Sequence, residues 1–200
     1  MCATSAENRD IVHLTSYRSP RHPSDLLDVA KIWEAGRATS AASTFFDPIK
    51  IGPYGEEFVD GAAGSNNPVR ELWTEAMDMW PVRALEGNIK CLVSIGTGQP
   101  SLNPFGDTLL DIAKTLTEIA TDTERTAEVF LREHQDLARR KCYFRFNVEK
   151  GLEDIGLEDS KQRNVIAAAT RRYIVSQVVH EHMKTCAENL STRECASQFS

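Results

Sequence analysis

The sequence has no cysteines spaced for metal binding, no excess of positive charge and no long apolar run, and each absence removes a class of function. Its five cysteines, Cys2, Cys91, Cys142, Cys186 and Cys195, are scattered, odd in number and nowhere spaced C-x-x-C. That argues against a disulfide framework and a structural zinc site, and it fits a reducing, intracellular setting. Lysine and arginine total 23 against 29 aspartates and glutamates, giving a net charge of -6 and a sequence pI of about 5.4. Nucleic-acid binders carry a basic footprint, so nucleic acid is not an expected partner. An acidic surface also disfavours tight electrostatic docking on anionic membranes, although it leaves room for a local basic patch. No stretch approaches the ~18 apolar residues of a membrane span. Residues 1–10 lack a basic segment followed by an apolar run, so no signal peptide is expected.

What is present is a chain of 200 residues, 41% hydrophobic and 26% charged, long enough for one domain with a real core. There is no internal repeat and no low-complexity segment. Arg18 to Pro23 reads as loop. Ser24 or Asp25 is placed to cap a helix running to about Ala38, with Leu26, Val29, Ala30 and Trp33 at helical spacing. Phe45 to Ile51 reads as extended, Gly52-Pro53-Tyr54-Gly55 as a turn, and Glu57 to Asp60 as a second strand. Asn67 followed by Pro68 marks a helix start. The stripe Val69, Leu72, Trp73, Ala76, Met77 and Trp80 continues that helix until Pro81 ends it. Lys90 to Ile95 is a continuous apolar run, expected as a buried parallel strand before the turn Gly96-Thr97-Gly98. Residues 107 to about 140 read as helix in two pieces, Cys142 to Val148 as an edge or half-buried strand, and Ser160 to Leu190 as helix. Strands alternating with helices predict an α/β layered fold.

Several of these segments resemble a known family when taken together. Arg37-Ala38-Thr39-Ser40-Ala41-Ala42 stands before Phe46 and Pro48. Val59-Asp60-Gly61-Ala62, Asn66-Asn67-Pro68-Val69 and Ser94-Ile95-Gly96-Thr97-Gly98 then follow in order. This succession is similar to that of patatin-like phospholipases, over roughly Cys2 to Pro100. Tyr143 to Leu157, with Arg145-Phe146-Asn147, looks like the fungal members of the family. The resemblance implies a three-layer α/β/α sandwich occupying residues 1–200, with motifs in about 1–100 and a mainly helical part in about 105–195. It implies lipid acyl-ester hydrolysis by a serine–aspartate dyad without histidine, no cofactor and no metal. Asp60 matches the proton-accepting aspartate of the D-G-[GA] motif, here Asp60, Gly61 and Ala62. The implied substrate is a phospholipid, lysophospholipid or acylglycerol. The implied location is the cytoplasm, with peripheral contact at membranes or lipid droplets.

The chain departs from that family at its nucleophile. There is no G-x-S-x-G, and no glycine-rich loop of the kind that forms the oxyanion hole. Cys2 to Glu7 resembles the end of a mid-domain strand, and Ser16-Tyr17 resembles the family's R-S-Y segment. The expectation is therefore that Met1 lies inside the domain, whose N-terminal half, bearing the serine, is missing. The alternative is a shortened, catalytically inactive patatin-like binding module. A parallel sheet deprived of its first strands would expose a long apolar edge, which predicts poor solubility.

Plainer readings stand beside these. Asp60 can bond backbone N–H groups in a turn before glycine. Asn66 and Asn67 can cap a helix, and Arg37 can form an ion pair or pack its stem. Gly96-Thr97-Gly98 lacks the Lys-Ser/Thr of a phosphate loop and reads as a tight turn, so a nucleotide-binding domain is a distant alternative. His180 and His182 face different ways on a helix, and the other histidines look isolated. Trp33, Trp73 and Trp80 fit helix stripes and are expected in the core.

Overall fold

The computed structural model describes residues 1–22, 24–43, 45–81, 85, 87–99, 123–153, 155–156 and 159–191. They fall into two units, Met1–Gly87 and Asn88–Ser200. The chain is α/β.

In the first unit, β1 (Cys2–Ser5) and β2 (Ile11–His13) form a hairpin. Its connection is fixed by Glu7, whose carboxylate accepts the Ser5 hydroxyl at 3.1 Å and the Glu57 N–H at 3.0 Å. Backbone N–H bonds, first the one from Glu57 and then Glu7's own, hold the Glu7 carboxyl below its ordinary range. A second hairpin joins β3 (Ile49–Ile51) to β4 (Glu56–Asp60). Gly52 and Gly55 turn it at φ of 80° and 66°, a region open to glycine at no steric cost. β1 pairs with β4, so the strand order is β2-β1-β4-β3 and every pairing is antiparallel.

Phe58 of β4 is fully buried, and with Ala3, Leu14, Ala38 and Ile51 it forms the core of this unit. The two short helices α1 (Asp25–Val29) and α2 (Ile32–Ala38) lay Leu26, Ala30 and Ala35 against that core. The sequence predicted one continuous helix here. Instead Ala30 is extended, with ψ of 133°, and the Glu34 carboxylate accepts the Lys31 N–H at 2.8 Å. Glu34 thus supplies a fresh N-terminal cap and lets the chain restart at a new angle. The restart turns Trp33 outward, 61% exposed, against the expectation of a core residue.

After β4 come α3 (Ala62–Ser65) and α4 (Val69–Met79). The helix begins one residue later than predicted, so Pro68 rather than Asn67 is its N-cap and no side chain caps it; Asn67 instead accepts the Val69 N–H at 3.3 Å in the turn leading in. Val69 and Trp73 are buried, whereas Leu72 and Trp80 of the predicted stripe are more than half exposed.

In the second unit, β5 (Leu92–Ile95) runs parallel to β6 (Tyr143–Phe146). The parallel pairing was expected, but the burial is reversed. Ile95 is 77% exposed, while Tyr143 and Phe144 of the supposed edge strand are buried. Phe144 stacks with Phe146 and meets the His182 ring at 4.9 Å, and Phe130 lies 5.5 Å from Tyr143. A helix over 123–133, α5, leads into α6 (Gln135–Arg139). Residues 107–122 of the predicted helical stretch lie outside the described residues. Lys141 then takes φ of 54°, its N–H reaching the Ala138 carbonyl while the Cys142 N–H reaches Leu137, a Schellman ending.

A 3-10 turn at Ser160–Gln162 precedes α7 (Arg163–Ile174) and α8 (Gln177–Ser191), which break at Val175 and Ser176. Asn189 of α8 donates to the carbonyls of both Lys90 and Lys141, tying together the chain entering β5 and β6. Two of the scattered cysteines also meet here. The sulfurs of Cys91 and Cys186 are 3.6 Å apart, and burial, then the neighbouring thiol, pushes Cys91 up to about 12.

Candidate functional site

Asp60 is the last residue of β4, opposite Ala3 of β1. Three hydrogen bonds fix it. Its N–H donates to the Ala41 carbonyl at 3.0 Å, and its own carbonyl accepts the Thr4 hydroxyl at 3.0 Å. Its carboxylate Oδ1 accepts the Ala62 N–H at 2.8 Å. The last is the turn-forming bond of the plain reading, and it does more than close a turn. It pins one carboxylate oxygen at the start of α3, while Oδ2 accepts no hydrogen bond among the described residues. A half-buried carboxylate anchored through one oxygen keeps the other available as a proton acceptor.

Gly61 is glycine for a reason other than backbone conformation. Its φ and ψ of -61° and -22° are open to any residue, so no special backbone turn calls for glycine. The constraint is distance. A Cβ on Gly61 would collide with the carbonyl group of Cys2 on the neighbouring strand. Glycine lets β1 pass hard against the Asp60–Ala62 turn, and Ala62 opens the short helix whose N–H holds the carboxylate.

The Arg37–Ala42 segment reaches the same place. Ala38 and Ala41 are fully buried, and Ala41 supplies the carbonyl that receives the Asp60 N–H. Small residues are needed where backbones approach this closely. Arg37 makes no ion pair with a carboxylate among the described residues. It donates to the Asp47 carbonyl at 2.5 Å and lies 5.2 Å above the Phe46 ring. Three of the four motifs, at Arg37, Asp60 and Asn67, therefore belong to the first unit.

The fourth, Ser94-Ile95-Gly96-Thr97-Gly98, lies in the second unit and is a strand ending, as the plain reading held. Gly96 N–H pairs with the Phe146 carbonyl, and Gly98 N–H donates to the Asn147 carboxamide at 2.7 Å. Asn147 in turn donates to Glu124 at 2.7 Å, as does Arg145 at 2.6 Å, and Arg145 also reaches the Ser94 hydroxyl at 3.0 Å. Sequence reasoning missed this half-buried network. Arg145 and Asn147 were visible as a motif, but nothing local announced Glu124 as their partner. It also took His13 and His22 for isolated residues, whereas their rings are in contact, centroids 4.8 Å apart.

With that geometry in place, comparison with known proteins is informative. The family described as patatin-like phospholipase matches residues 5–73, the stretch that contains Asp60 and most of its supports. Over this stretch, about a third of the chain, the sequence is similar to the patatin-like phospholipase family. Among curated relatives, Phospholipase A I of Arabidopsis thaliana is 35% identical over 119 residues, 58% of this chain and 9% of that protein. Calcium-independent phospholipase A2-gamma of Oryctolagus cuniculus is 31% identical over 175 residues, 84% of this chain and 20% of that protein. Its namesake from Homo sapiens is 29% identical over 172 residues, 84% of this chain and 21% of that protein. The chain thus spans about a tenth to a fifth of the length of these relatives. No helix among the described residues is long and apolar enough to cross a membrane.

Proposed function

We propose that this chain supplies the aspartate half of a patatin-like lipid acyl hydrolase, with Asp60 as the general base. The observation that carries the reading is the Asp60 carboxylate, held at Oδ1 by the Ala62 N–H and, among the described residues, unengaged at Oδ2, within the segment that matches the family. The substrate class is a phospholipid, as the relatives' names suggest, or a lysophospholipid or acylglycerol, as the family resemblance implies. The nucleophilic serine, absent here as G-x-S-x-G, comes from polypeptide outside these 200 residues.

In the complete site, Asp60 Oδ2 takes the serine hydroxyl proton as the oxygen attacks the ester carbonyl. The proton passes to the departing alcohol, and the resulting acyl-serine is cleaved by a water that Asp60 deprotonates in the second half-reaction. In this scheme the carboxylate takes the place a histidine holds in a triad.

The test begins with the transcript that encodes this chain. If it reads in frame through an upstream G-x-S-x-G, its product should release fatty acid from a phospholipid or lysophospholipid. Asp60→Asn should then lower kcat by about 10²- to 10⁴-fold with little change in the folded state, as loss of a general base does. A transcript beginning at Met1, together with an inert chain that still binds lipid, would instead establish the binding module. Full activity of Asp60→Asn would refute the assignment of the base.

A further inference from the structure

A second constellation lies in the first unit, assembled from residues that the sequence scatters. His13 ends β2, His22 follows in the loop, and Glu71 and Glu75 stand one turn apart on α4. Glu75 is almost wholly buried, at 6% exposure, and neither of its carboxylate oxygens accepts a well-formed hydrogen bond among the described residues. A carboxylate does not stay buried without compensation. Around it stand imidazole nitrogens and the Tyr17 hydroxyl. His22 Nε2 is 3.2 Å and His13 Nδ1 is 3.6 Å from Glu75 Oε2, and the two nitrogens are 3.1 Å from each other.

That triangle has a recognisable size. Four ligands about 2.0–2.1 Å from a tetrahedral zinc ion lie roughly 3.3 Å from one another. Edges of 3.1, 3.2 and 3.6 Å therefore describe one face of such a tetrahedron. The remaining nitrogen of His13, Nε2, lies 3.1 Å from Glu71 Oε2. Donating its proton there leaves the Nδ1 lone pair turned toward His22 and Glu75. A carboxylate behind a histidine is the usual outer partner of a metal-bound imidazole.

We propose that His13, His22 and Glu75 bind a divalent transition-metal ion of the zinc type, with Glu71 orienting His13 and water completing the coordination. Two imidazoles and one carboxylate suit zinc and its neighbours, whereas calcium and magnesium take oxygen ligands. The ion would fasten β2 and the loop after it to α4. Its role is to stabilise the first unit, and it takes no part in ester chemistry.

The test titrates Zn²⁺ alone into the full chain stripped of metal, followed by calorimetry, and repeats the titration with Co²⁺, followed by its visible absorption. The expected result is one ion per chain, the intense absorption of four-coordinate cobalt, and a rise in melting temperature. His22→Ala, at a partly exposed loop position, should retain its metal-free circular dichroism and melting curve while losing the cobalt bands. Glu71→Gln should weaken zinc binding by about 10- to 100-fold, as loss of an outer partner does. His180→Ala should bind normally. Absence of binding, unchanged binding by His22→Ala, or loss of binding only in the double variant Cys91→Ser/Cys186→Ser would each overturn the proposal. In the first case the cluster is an ion-pair network and nothing more.

Discussion

Gly61 sits where a single added carbon would be felt most directly. The obstacle to it is the Cys2 carbonyl, part of a paired central strand that cannot step aside as a flexible side chain would. Gly61→Ala should therefore push β1 and the Asp60 turn apart. Overpacking of this kind costs about 1–3 kcal/mol, readable as a lowered urea midpoint with an unchanged slope. By contrast, alanine at Gly36 meets no atom nearby and lies within α2, so it should leave stability equal or slightly raised. The same residue shows how far sequence reasoning reaches. The Asp-Gly-Ala motif was legible, but its physical reason was not, because the colliding group lies 59 positions away in the chain (61 minus 2) and no local pattern records it.

Helix ends are where local rules carry most weight, and α6 offers a clean case. Its Schellman ending places Lys141 in the left-handed region, which costs a residue bearing Cβ roughly 1–2 kcal/mol. Lys141→Gly removes that strain but adds freedom to the unfolded chain, so the expected net gain is about 0.5–1 kcal/mol, seen as a higher melting temperature. Among elements, turns and caps were the readable features. Gly52–Gly55 turned as expected, and Asn67 and Pro68 marked the start of α4 to within one residue. Continuous helices were less readable, since the break at Ala30 depends on Glu34 providing a second cap and on Leu26 and Ala30 both reaching the Phe58 core. Burial of β5 and β6 came out inverted for a related reason. A run of apolar letters reports what could be buried, while the partners that bury it, Phe130 and His182 beside Tyr143 and Phe144, are tertiary facts.

On the scale of the whole molecule, parallel pairing among the described residues is confined to β5 and β6, where Ile95 is exposed, while the first unit has an antiparallel sheet whose outer strands, β2 and β3, have three residues each. Short edges blunt strand-to-strand association. Charge then governs how the chain behaves in solution. With a net charge of -6 at neutral pH and a sequence pI near 5.4, mutual repulsion fades on acidification. Turbidity at low salt should rise to a maximum near pH 5.4 and fall again on either side. Turbidity that is highest at pH 8 would point to apolar contact instead. The family could be read from four short motifs. The arrangement of the His13–His22–Glu75 cluster could not, because it joins a strand, a loop and a helix.

The position of β1 has a mechanical consequence. It is the second strand of four, bonded along both flanks, and it carries the carbonyl against which Gly61 rests. A pull on Met1 along the strand would load those flanking bonds together, in shear, rather than opening them one by one. The sheet would resist traction up to a threshold and then release β1 whole. Asp60 would lose the Thr4 hydroxyl and the wall behind Gly61 in the same event. Tension applied at the amino end would thus reach the Asp60 turn through the strand paired beside it.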